Sequence, residues 1–124
     1  MAPRYFTVQE ANDLLTELRP LMAELLERRA RVVHMRHQLQ DVVGPKSDTG
    51  SPAASAAVQE FIIIEELVEQ IRAYGCELKD INAGLLDFLA QHNGREVFLC
   101  WRYGEPQITH YHDLTAGFNG RRPL

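Results

Sequence analysis

Cysteine is scarce in this chain: only Cys76 and Cys100 occur among 124 residues, and they do not form a C-x-x-C pair. This number and spacing argue against the disulfide framework that holds small secreted proteins together. We therefore expect two free thiols in a reducing compartment.

Long apolar runs are also missing. A stretch such as FIII at residues 61–64 is far too short to span a bilayer. No charged-then-apolar leader opens the chain. The expectation is a cytoplasmic protein with no membrane partner.

An excess of positive charge is absent too, since 13 Lys and Arg stand against 17 Asp and Glu, a net charge of −4. A general nucleic-acid binder needs a basic face that displaces counterions from phosphates. The run RRARVVHMRH at residues 28–37 would by itself suggest nucleic acid. However, Glu24 and Glu27 each precede an arginine by four residues, which favours ion pairs along one helix. No nucleic-acid partner is expected.

No catalytic triad, phosphate-binding loop or complete metal-ligand set can be found. The composition, 45% hydrophobic and 24% charged, is typical of a soluble globular protein, and the length fits one domain over residues 1–124. The sequence therefore predicts a folded domain without assigning it an enzymatic activity.

A long helix is predicted over about residues 7–43. Thr7 and Glu10 form a T-x-x-E capping box, and apolar residues then recur at alternating spacings of three and four. The apolar positions are Ala11, Leu14, Leu18, Leu21, Leu25, Val32, Met35, Leu39 and Val42. Pro20 removes one backbone hydrogen bond and predicts a kink near that residue.

A second helix is predicted over about residues 52–74, after a flexible tip over 44–56 that is rich in Ser, Ala, Gly and Pro. The two helices form an antiparallel hairpin over residues 1–75. Because the second helix is much shorter, the start of the first must pack against another part of the chain.

Three short antiparallel strands are predicted in the remaining segment, residues 76–124, over about 85–92, 95–103 and 107–114. Asn93–Gly94 is a strong two-residue hairpin signal, and Gly104–Glu105 is a second candidate turn. Two tight turns would place His110 and His112 on the face that covers the first helix, with Thr109 opposite Cys100 and Asp87. The predicted fold class is thus α+β, a helical hairpin packed on a three-stranded meander.

Two features of the strands could carry chemistry. His110 and His112 alternate along a strand and could meet one metal, but they lack a fixed third ligand, so no metal site is predicted from them alone. Cys100 is predicted to be a buried structural thiol, because Asp87 opposite it would raise its pKa.

Charged residues cluster around the same strands: Glu77, Lys79, Asp80, Asp87, Arg102 and Glu105. Such residues are usually solvated, but a convergent set could bind a small anion, with Arg102 as the bidentate donor. The neighbouring Trp101 is most simply a core aromatic.

Four segments resemble an uncharacterised bacterial family, a domain of unknown function: FTVQEANDLLTELRPLM, GCELKDINAGLLDF, GREVFLCWRYGE and HDLTAGFNGRRPL. The resemblance covers nearly the whole chain outside the tip. The matching positions are Glu77, Lys79, Asp80, Gly84, Asp87, Phe88, Gly94, Arg95, Cys100, Trp101, Arg102, Gly104, Glu105, His112 and Gly117. The chain departs from the pattern at Leu89, where proline is expected, and at His110, where no histidine is. The resemblance implies a small cytoplasmic protein with no assigned activity, and it favours His112 over the two-histidine pair.

The functional hypothesis is a dimeric interaction or scaffolding module, because a two-helix hairpin leaves part of its apolar stripe uncovered. The alternative is a small enzyme or a ligand- or metal-binding protein with its site around His112, Arg102, Asp80 and Glu105. In that case His112, Arg102 and Glu105 are the catalytic candidates. The ligand-binding candidates are Glu77, Lys79, Asp80, Asp87 and Trp101. No cofactor is expected, and the partner would be a second copy, another protein or a small anionic ligand.

Overall fold

The structure is a computed structural model that describes residues 4–42 and 52–124. It contains helices α1 (Val8–Val42) and α2 (Pro52–Arg72), strands β1 (Glu77–Asp80), β2 (Leu85–His92), β3 (Arg95–Arg102), β4 (His110–Asp113) and β5 (Arg122–Pro123), and a short 3-10 helix at Phe118–Gly120. The α+β class is confirmed. No helix in these two ranges is long and apolar enough to cross a membrane.

The start of α1 is fixed by the predicted capping box. The Thr7 N–H donates to Glu10 Oε1 at 2.9 Å, and the Glu10 N–H donates to Thr7 Oγ1 at 3.0 Å. Each side chain thus satisfies a backbone donor that the helix itself cannot pair. The helix continues through Pro20, and the kink near that residue remains a prediction.

The buried stripe of α1 differs in detail from the predicted one. Leu15 and Met22 are fully buried, whereas Leu14 and Leu21 are only partly buried. In each of the apolar pairs Leu14–Leu15 and Leu21–Met22, either residue could face the core, and in the structure the second residue of each pair does. The other fully buried positions are Ala11, Leu18 and Leu25.

The sheet covers the start of α1, as predicted. Its inner face supplies Leu86, Phe88, Ala90, Val97, Leu99 and Trp101 to the same core as the α1 stripe. Just before the helix, Phe6 packs edge-on against Phe88 with ring centroids 5.2 Å apart, and its N–H donates to the Leu89 carbonyl. This contact attaches the helix entry to the middle of β2.

The helical hairpin is joined by a part-buried ion pair. Arg28 donates to both carboxylate oxygens of Glu60 at 3.1–3.2 Å, and Arg31 lies 3.7 Å from the same carboxylate. The predicted flexible tip over 44–56 falls largely on residues 43–51, which lie outside the described part of the chain. Its last residues, 52–56, belong to α2.

The predicted three-stranded meander is wrong in its extent, because the sheet has five antiparallel strands in the order β1-β2-β3-β4-β5. The edge strand β1 has the sequence ELKD, whose apolar content is too low to signal a strand, and β5 is only two residues long. The predicted register of β2 and β3 is confirmed, with Asp87 opposite Cys100. Asn93 and Gly94 have φ values of 53° and 76°, as their tight hairpin turn requires.

The predicted register of β4 is wrong. Cys100 pairs with His110 and Phe98 pairs with His112, so β4 is displaced by one residue from the two-residue turn expected at Gly104–Glu105. Because side chains alternate along a strand, a slip of one residue transfers each of them to the other face. His110 and His112 consequently lie on the outer face of the sheet, away from α1.

The connection between β3 and β4 is longer than two residues because side chains of α1 form hydrogen bonds with its backbone. Asn12 Oδ1 accepts the Ile108 N–H at 2.7 Å, and Arg19 donates to the Pro106 carbonyl. Trp101 Nε1 donates to the Glu105 carbonyl at 2.9 Å. These side chains fix a loop over residues 103–109 and delay the start of β4 to His110.

We expect Asn12→Ala to lower the free energy of unfolding by about 1–3 kcal/mol, because the Ile108 N–H would lose its acceptor in a part-buried position. Thermal denaturation of the purified variant measures the loss. Asn12→Asp is the matched control, since it keeps an oxygen acceptor and should retain most of the stability. Equal losses in the two variants would show that this hydrogen bond does not stabilise the loop.

Candidate functional site

A small pocket with a volume of about 180 Å³ opens on the outer face of the sheet. We call it the outer-face pocket. The chain lines it with Lys79, Leu85, Asp87, Cys100, His112, Leu114, Thr115, Ala116, Gly117 and Phe118. Three adjacent strands form its floor, and the segment after β4 forms its wall.

Three buried polar side chains meet on the pocket floor, each from a different strand. Asp87 on β2, Cys100 on β3 and His112 on β4 are 3%, 1% and 4% exposed. A carboxylate oxygen, the Cys100 Sγ and a ring nitrogen lie within 4.8 Å of one another. Within the described ranges, this is the group of three His, Cys or acidic side chains whose spacing suits one metal ion.

The ring of His112 is held at both nitrogens. Its Nδ1 lies 2.8 Å from the Asp113 carbonyl, and its Nε2 lies 3.0 Å from both oxygens of Asp87. A carbonyl oxygen can only accept, so Nδ1 carries a proton. Nε2 therefore faces a carboxyl group with which it shares a single proton, either as an imidazolium–carboxylate pair or as a neutral ring that accepts from protonated Asp87.

Burial shifts the proton affinity of the two other groups. Desolvation raises the pKa of Asp87, and the hydrogen bond from His112 opposes that rise. Desolvation likewise raises the pKa of Cys100 to about 12, with a further contribution from the neighbouring Asp87. The predicted effect of Asp87 on Cys100 is thus in the right direction, and at neutral pH the thiol is protonated.

Lys79 reaches the outer-face pocket because side chains alternate along β1, and it lies on the same face as Glu77, which pairs with Asp87. The pairing of β1 with β2 shifts between Leu78 and Asp80, which leaves Lys79 as the extra residue. Its Nζ lies 4.6 Å from the centroid of the Phe98 ring and 2.7 Å from Glu77. Lys79 is therefore the cationic side chain at the rim of the pocket.

The C-terminal segment is tied down beside the pocket by an ion pair. Arg121 donates to both oxygens of Glu105 at 2.9–3.0 Å, and its guanidinium lies 4.5 Å from the Phe118 ring centroid. On the outer side, Arg102 also lies near Phe118, at 5.7 Å. These contacts position the wall residue Phe118.

Several residues that the sequence predicts as site residues do not line the pocket, and two of them form hydrogen bonds with backbone N–H groups. Glu105 Oε1 accepts the Arg102 N–H at 2.7 Å, and Asp80 Oδ1 accepts the N–H groups of Asn82 and Ala83 in the turn before β2. Trp101 is fully buried on the inner face. Arg102, Asp80 and Glu105, which were predicted to converge with His112, are not among the residues that line the outer-face pocket with it.

Other predicted residues take mixed positions. Glu77 is exposed and pairs with Lys79, and His110 forms a hydrogen bond with Thr109 Oγ1 without lining the pocket. Asp87 and Lys79, by contrast, line the outer-face pocket together with His112. The functional roles predicted for all these residues remain predictions.

The proximity of His112 to Asp87 and Cys100 did not follow from the sequence pattern. The predicted pairing of β2 with β3 correctly placed Asp87 opposite Cys100. The wrong register of β4 placed His112 on the other face of the sheet. One signal was available in the sequence: Ile108 and Tyr111 are apolar residues three positions apart, and in the structure both contact the core. A spacing of three cannot belong to a single regular strand, so β4 had to begin after Ile108.

A second candidate surface lies on the helical hairpin. A groove of about 410 Å³ runs between α1 and α2, and we call it the hairpin groove. It is lined by Arg29, Val32, Val33, Arg36, Ala57, Phe61 and Ile64. Phe61 is 55% exposed, and Val33 is 46% exposed. Large apolar side chains at such exposure are typical of an interaction surface when they lie together.

Comparison with known protein families gives a match over residues 4–124, all but the first three residues of the chain. The matching family is described as an uncharacterized conserved protein. No curated protein and no solved structure matches the chain. The predicted membership of a family of unknown function is thereby confirmed, and the chain belongs to the DUF2203 family of uncharacterized conserved proteins.

Proposed function

We propose that the protein is a homodimeric interaction module whose two copies meet through the hairpin groove. The observation that supports this proposal is the exposure of Phe61 and Val33 in that groove. Two further apolar side chains on α2, Val58 and Ile62, are 55% and 46% exposed. A second copy would remove these four side chains from water in a self-complementary contact.

The charges beside the hairpin groove favour a second copy of the same chain as the occupant. Arg29 and Arg36 line the α1 side, whereas Glu65 and Glu66 lie with Ile62 on the outward face of α2. A twofold axis at the level of Phe61 reverses the direction of the partner hairpin. The acidic side of one copy then faces the basic side of the other, which is electrostatically complementary.

Phe61→Glu should dissociate the dimer. The change places a carboxylate in the apolar contact and removes a side chain whose burial is worth about 1.5–3 kcal/mol, so the dissociation constant should rise by roughly 10–100-fold or more. Light scattering over a concentration series measures the mass, which should be twice 14.1 kDa for the wild type and 14.1 kDa for the variant.

Val8→Glu is the matched control, because it makes the same change at an exposed apolar residue at the start of α1. It should leave the dimer intact. Glu65→Arg should weaken the dimer, and combining it with Arg36→Glu should restore affinity. A wild-type mass of one chain at every concentration would disprove the proposal, and a Phe61→Glu dimer as tight as the wild type would place the interface elsewhere.

A second candidate function is the binding of a small anionic ligand in the outer-face pocket. The position of Lys79 favours it, because this cation lies at the rim of a pocket with buried polar groups on its floor. Lys79 would attract the ligand charge, while the wall at Gly117 and Phe118 would limit its size.

Inorganic phosphate tests this candidate. At ten times its dissociation constant, a ligand that binds only the folded chain stabilises it by about 1.4 kcal/mol, which thermal denaturation detects. Lys79→Met should remove most of this stabilisation. Arg95→Met, which also replaces a cationic side chain by methionine but at an exposed residue of β3 outside the pocket, should keep it. Equal stabilisation of the two variants, or none of the wild type, would contradict anion binding through Lys79.

Both thiols should be unreactive in the native protein. Burial raises the pKa of Cys76 to about 11 and that of Cys100 to about 12, so only about one thiol in 1,000 and one in 10,000, respectively, is a thiolate at pH 8. A disulfide reagent such as DTNB should therefore titrate no thiol rapidly in buffer and two in denaturant. A thiol that reacts within seconds at pH 7 would contradict this expectation. Stable free thiols would also agree with the cytoplasmic location that we propose.

A further inference from the structure

We propose that Asp87, Cys100 and His112 bind a divalent transition metal of the zinc class on the floor of the outer-face pocket. The proposal rests on the second candidate function, the use of this pocket as a ligand site. It adds that the three buried side chains on the pocket floor bind a metal ion.

The spacing and the kinds of donor support a single ion. The three donor atoms lie within 4.8 Å of one another, and each comes from a different strand. With metal–ligand bonds of about 2.0 Å to N and O and about 2.3 Å to S, tetrahedral ligands lie about 3.3–3.6 Å apart. The 3.0 Å separation of His112 Nε2 from Asp87 needs to widen by a few tenths of an ångström, whereas the longest separation in the group, up to 4.8 Å, needs to shorten by about 1 Å.

The orientation of His112 is that of a metal ligand. Metal-binding histidines usually donate the second ring N–H to a carbonyl or carboxylate, which aims the other nitrogen at the ion. His112 does so through Nδ1, which donates to the carbonyl of Asp113 at 2.8 Å. This contact directs Nε2 toward Asp87 and the pocket floor.

Charge balance explains how the same three side chains pack with and without an ion. Without one, Nε2 and the Asp87 carboxylate share one proton, and the Cys100 thiol carries another. A divalent ion would replace both protons and leave a carboxylate, a thiolate and a neutral imidazole, whose two negative charges neutralise it. Both protons pass to solvent, and no redox change is involved.

The mixed donor set selects the kind of metal. One thiolate with an imidazole and a carboxylate suits zinc or cobalt, whereas magnesium and calcium prefer oxygen ligands alone. Three protein ligands leave a fourth position, which would face the open side of the pocket near Lys79. An anionic ligand could occupy that position, so the metal and the anion would use one site.

Cobalt(II) titration of the tag-free, chelator-treated protein tests the proposal. We expect one equivalent per chain, with a thiolate-to-cobalt charge-transfer band in the near ultraviolet and the visible bands of tetrahedral cobalt. Zinc should displace the cobalt and remove both signals. Elemental analysis after dialysis against zinc should give one ion per chain.

Variants identify the ligands. Cys100→Ser should abolish the charge-transfer band while keeping a hydrogen-bonding group beside Asp87. Asp87→Asn should weaken binding by more than the roughly 10–100-fold that the loss of a second-shell partner costs. Its amide can still donate to His112 Nε2, so the fold should persist, which circular dichroism checks.

His110→Gln is the matched control, because His110 lies on the same strand, outside the pocket, and should leave the cobalt spectrum unchanged. Cys76→Ala should also leave it unchanged. A titration without a charge-transfer band, or one whose band survives Cys100→Ser, would overturn the metal site and leave a hydrogen-bonded cluster.

The experiments distinguish failure of the metal proposal from failure of the anion proposal. Phosphate stabilisation of metal-free protein, together with no cobalt band, would remove the metal and leave the pocket as an anion site. A cobalt band that depends on Cys100, together with no effect of phosphate, would support the metal and remove the anion.

Discussion

The hydrogen bond from the Ile108 N–H to Asn12 determines where β4 begins, and the outer-face pocket depends on that position. With β4 starting at His110, His112 pairs with Phe98 and its ring lies beside Asp87. A start one residue different would turn His112 toward α1 and Tyr111 toward the pocket. A side chain of the first helix thus controls whether His112 meets Asp87 on the far side of the sheet.

Buried polar groups at the pocket floor must satisfy one another, because the surrounding sheet offers few other partners. His112 uses both ring nitrogens, Asp87 faces both the ring and the Cys100 thiol, and each is nearly inaccessible to water. Replacing one member leaves another with an unpaired buried group, a loss larger than a single exposed hydrogen bond would cause. This mutual dependence distinguishes the cluster from the surrounding charged residues, such as Glu77 and Arg102, which are exposed.

Local signals were sufficient to predict α1, α2 and the β2–β3 hairpin. The Thr7–Glu10 capping box and the Asn93–Gly94 turn act between neighbouring residues, so their geometry follows from the sequence. The register of β4 depends instead on Asn12 and Arg19, which lie about 90 residues earlier in the chain. Strands β1 and β5 were missed for a related reason: each is short, and its place in the sheet comes from its pairing partner and not from an apolar pattern. The candidate site combined both difficulties, since Asp87 and Cys100 were correctly paired while His112 was placed on the wrong face.

Helix α1 connects the two candidate surfaces without giving a residue to both. Its first half, including Leu15 and Leu18, packs under the inner face of the sheet, whereas Arg29 and Arg36 in its second half line the hairpin groove. The outer-face pocket lies on the opposite side of the sheet from α1. A dimer formed through the groove would therefore leave the pocket open, and a ligand in the pocket would not need a second copy. Substitutions at Phe61 and at Cys100 should act independently, as expected for sites that share no contacts.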